Sequence, residues 1–101
     1  MDITVQELKE KMDRKDDFIF IDVREPYEFS YGHNQGAINI PLNQILGRSE
    51  EIAQMSKPLI LVCQSGNRSG MAVSMLKAKG VNDIYNGGSF NDVEMAKMQT
   101  A

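Results

Sequence analysis

The sequence predicts an α/β domain built on a central, mainly parallel sheet flanked by helices. Two observations predict it. Short runs of strand-forming residues, Phe18–Ile21, Ala37–Ile40, Leu59–Val62 and Val81–Tyr85, alternate with segments of helical character, the order that parallel pairing through helical crossovers produces. Two of these runs give way to Asp22 and Cys63, and in open parallel sheets ligands collect beyond the carboxyl ends of the strands. If the two strands are parallel neighbours, both residues face one rim.

In chain order, Thr4 and Glu7 form a capping box, and Val5, Leu8 and Met12 recur near helical spacing, so a first amphipathic helix is expected. Phe18–Ile21 follows a charged stretch and reads as a buried strand ending about Asp22. Pro26 suits the first turn of a short helix running through Glu28 to Tyr31. Gly32 and Gly36 bracket a turn, and Pro41 stops the next strand, Ala37–Ile40. From Leu42 to Met55 the pattern is weakly helical and broken near Gly47, with Ser49 as a cap for the second half.

Pro58 opens Leu59–Val62, the most strand-like segment of the chain. Gln64 to Asn67 is a polar loop carrying Gly66, and from Ser69 onward Ala72, Val73, Leu76 and Ala78 supply the apolar face of a helix ending at Gly80. Cys63 therefore sits at a strand-to-helix junction. Val81–Tyr85 is expected as a last strand, Asn86-Gly87-Gly88 as a turn, and Ser89 as the cap of a final helix containing Phe90, Val93 and Met95. Met71, Met75, Met95 and Met98 fall at helical spacings and are expected as core filler.

Composition narrows the function classes. The 101 residues fit one domain, 1–101, and 42% hydrophobic with 25% charged residues is ordinary for a globular chain. A net charge of -3 argues against broad nucleic-acid binding, which needs a basic face. No basic n-region with an apolar h-region opens the chain, and no apolar run approaches the roughly 18 residues of a membrane span, so a cytoplasmic protein without membrane partners is expected. With a single cysteine there is no internal disulfide and no zinc site built on several thiolates. Neither a metal nor a cofactor is expected.

A lone cysteine ending an apolar strand is in most proteins a small buried hydrophobe, so the case for chemistry rests on its surroundings. Cysteine attacks as a thiolate, and with a free pKa of about 8.5 it needs local positive potential. The loop Cys63-Gln64-Ser65-Gly66-Asn67-Arg68-Ser69 has the means: a short turn into a helix N-terminus aims backbone N–H groups at one point. Gly66 permits the tight turn, and Arg68 adds a cation able to pair with an oxyanion. Such a cradle suits a thiolate, the outer sulfur of a persulfide or an anionic donor alike.

This segment resembles the active-site loop of the rhodanese family. Asp22-Val23-Arg24-Glu25-Pro26-Tyr27-Glu28-Phe29, followed by Gly32-His33 and Gly36-Ala37-Ile38-Asn39-Ile40-Pro41, resembles the family's other hallmark, and with the Gly87-Gly88 pair the likeness spans nearly the whole chain. The resemblance implies a three-layer fold and a sulfurtransferase that works by double displacement. Cys63 would take a sulfane sulfur from thiosulfate or polysulfide and pass it to a thiol, to cyanide or to a protein acceptor. Gln64, Ser65, Gly66, Asn67, Arg68 and Ser69 would bind substrate, mostly through backbone N–H groups. His33, the single histidine, would have a structural part, and Asp22 with Arg24 would orient the rim.

Spacing separates the nearest rival. Related phosphatases carry Cys-x5-Arg, whereas Arg68 gives Cys-x4-Arg, which leaves phosphatase or arsenate reductase as a distant alternative. Gln64 stands where family loops often carry a basic residue, Asn34-Gln35 replaces an apolar-proline pair, and Phe90 occupies a position where tryptophan is frequent. The last two read as structural variation, whereas Gln64 and the small size keep open the alternative of a persulfide carrier or redox-sensing module that turns over free donors poorly.

Overall fold

The computed structural model of the chain describes residues 7, 10, 18–55 and 57–99. Four strands, β1 (Ile19–Asp22), β2 (Ile38–Asn39), β3 (Leu59–Cys63) and β4 (Ile84–Ser89), lie in the order β2-β1-β3-β4, and every pair is parallel. Four helices accompany them among the described residues: α1 (Pro26–Tyr31), α2 (Ser49–Ala53), α3 (Asn67–Ala78) and α4 (Phe90–Gln99). Of the expected first helix, Glu7 and Glu10 are helical and exposed; Thr4, Val5, Leu8 and Met12 lie outside the described residues.

All five residues of β3 are buried, as a central parallel strand covered on both faces requires. Alternate residues serve opposite faces. Leu59, Leu61 and Cys63 pack with Ile21, Ile52 of α2 and Ala72, Val73 and Leu76 of α3, whereas Ile60 and Val62 pack with Phe20 and Val93 of α4. The result is the expected three-layer α/β arrangement. Among the described residues, no helix is long and apolar enough to cross a membrane.

Several local readings are corrected. The Leu42–Met55 stretch is broken as expected, into two 3-10 turns (Leu42–Gln44 and Leu46–Arg48) and α2, but Ser49 is the first helical residue at φ -61°, ψ -36° and caps nothing. A chain that arrives already coiled lacks the extended entry that a side-chain cap needs. Helix α3 begins at Asn67, ahead of Ser69, because Gly66 at φ +97° turns the chain within the loop itself. It ends where foreseen: the N–H groups of Gly80 and Val81 return to Lys77 and Leu76, a Schellman closure. Met71 and Met95 are half-exposed instead of filling the core, since α3 and α4 turn other residues to the sheet.

The largest correction concerns Asn86-Gly87-Gly88, which continues β4 instead of forming a turn. Leu61 pairs with Asn86 and Val62 with Gly88, so Gly87 is the extra residue of a bulge. A Cβ at Gly87 would stand 2.7 Å from Ile60 Cγ2 and 3.1 Å from Val62 Cγ1. Only glycine lets the backbone approach β3 so closely. Ser89 does cap α4, its Oγ accepting the Asn91 N–H at 3.1 Å.

Candidate active site

Parallel pairing of β1 with β3 brings their ends, Asp22 and Cys63, to the same rim. Cys63 is fully buried. Its Sγ accepts the N–H of Gly66 at 2.9 Å and lies 3.4 Å from Ser69 Oγ. Burial pushes the thiol up, but the Ser69 hydroxyl and the N–H groups of Ser69, Ser65 and Gly66 outweigh it and hold Cys63 below its ordinary value. The Gly66 N–H on the sulfur, with the Ser69 hydroxyl in reach at the N-terminus of α3, makes an anion cradle.

Behind the cradle stands Asn86, which is buried. Its Nδ2 donates to Gly66 O at 3.0 Å, and its Oδ1 accepts Gly88 N–H at 2.9 Å and Ser69 Oγ–H at 2.7 Å. The bulge in β4 presents this amide to the loop. Gly66 leans on the same bulge, since a Cβ there would lie 3.2 Å from Gly88 Cα.

The other wall is charged. Arg24 is buried against Asp22, with Nε and Nη2 both donating to the carboxylate, Nη2 also reaching Gly32 O at 2.7 Å, and the guanidinium 4.1 Å from the centre of the Phe90 ring. Two hydrogen bonds from Asn39 to the carbonyls of Asp22 and Arg24 fix this corner. Arg68 donates to both oxygens of Glu28, at 2.7 and 3.0 Å. That contact, with the Glu25 N–H, lowers the Glu28 carboxyl from 4.5 to about 2. Between these pairs lies a cleft of about 330 Å³ lined by Arg24, Glu28, Tyr31, Gly32, Gln64 and Phe90.

The residues singled out in the sequence separate into groups. Ser65, Gly66 and Ser69 gather round the Cys63 sulfur, Gln64 is exposed and lines the cleft, and Asn67 opens α3 beside a second groove shared with Gly70 and Met71. Arg68 is turned to Glu28 and is not an open cation. His33 stacks on Phe29 with centroids 3.7 Å apart and holds Phe29 O through Nδ1 at 2.7 Å. No group of three or more His, Cys, Asp or Glu among the described residues is arranged to hold a metal ion. Two site residues were missed by sequence reasoning: Asn86, masked by turn-like glycines, and Glu28, whose signal was its capping-box spacing from Glu25.

Comparison with known proteins agrees with this geometry. A family model described as "Rhodanese-like domain" matches residues 4–95. The chain is 33% identical over 81 residues to the thiosulfate sulfurtransferase PspE of Escherichia coli, covering 79% of this chain and 78% of that one. It is 31% identical over 85 residues to the putative sulfur carrier protein YrkF of Bacillus subtilis, covering 84% of this chain and 45% of YrkF. It thus spans about half the length, or less, of several curated relatives. Among solved structures, a rhodanese with anions from E. coli superimposes with a TM-score of 0.68 at 32% identity, covering 75% of this chain and 91% of that one. The all-parallel sheet, the loop after β3 and these matches agree: the chain belongs to the rhodanese-like domain family.

Proposed function

We propose that this domain is a sulfurtransferase that carries a sulfane sulfur on Cys63. The observation that carries the reading is the convergence of N–H and O–H donors on the Cys63 sulfur. In the first step the thiolate attacks the outer sulfur of the donor and the bond to the donor's inner sulfur breaks. With thiosulfate the products are the Cys63 persulfide anion and sulfite; with polysulfide the leaving group is the shortened chain. In the second step a thiolate or cyanide attacks the terminal sulfur, and the Cys63 thiolate leaves. Cys63 alternates between a thiolate and a persulfide anion, and a cradle of fixed donors stabilises either.

Gln64, Ser65, Gly66, Asn67, Arg68 and Ser69 make up the proposed binding loop. Within it Ser65, Gly66 and Ser69 hold the anionic sulfur, while Gln64 and the Arg68–Glu28 pair meet the rest of the donor. The proposed working unit is one domain over residues 1–101, acting in the cytoplasm, where a lone thiol stays reduced between turnovers. Phosphate chemistry is disfavoured by the Cys-x4-Arg spacing and by the engagement of Arg68 with Glu28.

A second reading, a persulfide carrier that discharges to a protein partner, is favoured by the burial of Cys63 and by the pairing of Arg24 and Arg68 with carboxylates. The likeness to YrkF supports it too. The test is thiocyanate formation from cyanide with thiosulfate and with polysulfide, for wild type and Cys63→Ser. Turnover lost in Cys63→Ser supports the sulfurtransferase. Turnover retained in that variant overturns both readings, and a loaded protein that discharges only to another protein selects the carrier.

A further inference from the structure

The Ser69 hydroxyl has one proton and three acceptors: Asn86 Oδ1 at 2.7 Å, Gly66 O at 3.2 Å and Cys63 Sγ at 3.4 Å. It cannot serve all three at once. Asn86 is fixed in orientation, because its Nδ2 has Gly66 O as acceptor and its Oδ1 has Gly88 N–H as donor, so the oxygen always faces Ser69.

We propose that Asn86 is a positioning residue for the sulfur chemistry, parking the Ser69 hydroxyl when Cys63 is a thiol and releasing it to the sulfur when Cys63 becomes a thiolate or persulfide anion. In the resting state Ser69 donates to Asn86 Oδ1, its shortest contact, and its oxygen lone pairs face the thiol. When the sulfur gains charge, rotation about the Ser69 Cβ–Oγ bond redirects the proton to it, since hydrogen bonds to ionised acceptors are the stronger ones. Asn86 Oδ1 then keeps the Gly88 N–H and is not orphaned. The same amide fixes the Gly66 carbonyl, so one side chain steadies two parts of the cradle. Only covalent rotation and hydrogen-bond exchange are involved.

The charged groups on the surrounding elements are Arg68 of α3 with Glu28 of α1, and Arg24 with Asp22 of β1. Asn86 hydrogen-bonds to none of them, so a change there leaves both pairs in place. The inference rests on Cys63 being the sulfur acceptor, and its test separates the two. The pH profile of Cys63 alkylation by iodoacetamide is measured without donor, with thiolate ultraviolet absorbance as a second readout, and sulfur loading is measured on the same samples.

Asn86→Asp keeps the shape and the acceptor for Gly88 N–H, makes the acceptor for Ser69 anionic and replaces the donor to Gly66 O by an oxygen. That loss is common to every Ser69 background and cancels when the backgrounds are compared. The alkylation midpoint moves to higher pH by about one pH unit, as for a like charge near a titrating group. If Asn86 acts through the hydroxyl, that displacement falls by at least about half in a Ser69→Ala background and returns in Ser69→Thr, which restores a hydroxyl. Equal displacement in all three backgrounds, or none in any, overturns the inference while leaving sulfur transfer intact. Wild type that titrates as described but never loads sulfur overturns the proposed function instead.

Discussion

The two walls around Cys63 are built on opposite principles. The inner wall, formed by Gly66, Ser69 and Asn86 against the β4 bulge, carries no charge, has Ser69 and Asn86 buried and Gly66 partly so, and its groups reach the sulfur or one another at hydrogen-bond distance. The outer wall is made of ions already neutralised by partners, Arg24 by Asp22 and Arg68 by Glu28. Fixed neutral donors act at short range on a buried sulfur, where each is worth more than in water. Paired ions nearly cancel at a distance, and salt screens what remains at the exposed side. On the proposed function, the inner wall would therefore govern the state of the sulfur, and the outer wall which donors arrive.

Breaking the inner wall has the largest expected effect. Gly87→Ala forces a Cβ to 2.7 Å from Ile60 Cγ2, a branched atom in the core, and to 3.3 Å from the Leu61 carbonyl oxygen. Overpacking of this kind costs about 1–3 kcal/mol, which a fall in the urea midpoint reads directly. Because Asn86 and Gly88 belong to the same bulge, the Cys63 alkylation midpoint rises as well. Unchanged stability together with an unchanged midpoint would show that the bulge does not support the site.

Changing the outer wall has a smaller effect of another kind. Glu28→Gln leaves Arg68 with net charge, so the ratio of kcat/KM for thiosulfate to that for a neutral organic trisulfide rises, by roughly threefold to tenfold at low salt. Arg68→Ala moves the ratio the other way, because the Glu28 carboxylate is left bare. A ratio that ignores both changes would show that charge at the cleft does not select donors.

The same pair has an acid signature. The folded-state Glu28 carboxyl lies at about 2, below 4.5, so its contribution to stability is present above pH 4.5 and is lost as pH falls toward about 2. The stability gap between wild type and Glu28→Gln, at most about 1 kcal/mol for a partly exposed pair, accordingly closes across that window. A gap that stays constant from neutral pH down to pH 2 would contradict the assignment.

Legibility in the sequence follows the range of the interactions. Strands β1 and β3 were visible because their apolar runs need no distant partner to be recognised, and the Cys63 junction was visible because Gly66 and the start of α3 adjoin it. The role of Asn86 depends on Ser69, 17 residues away, and that of Arg68 on Glu28, 40 residues away. Arg68 thus looked like an open cation, and Asn86-Gly87-Gly88 like a turn. Paired glycines serve a tight turn and a close backbone approach equally well, and only contact with Ile60 and Val62 decides between them.

The proposed chemistry requires the Cys63 sulfur to accept and hold a second sulfur atom. Mass spectrometry of the protein after brief exposure to polysulfide, with the Cys63 peptide isolated, tests it most directly. A mass gain of one sulfur is expected on that peptide, absent in Cys63→Ser and removed by cyanide. Folded protein that gains no sulfur on Cys63 from either polysulfide or thiosulfate would contradict it.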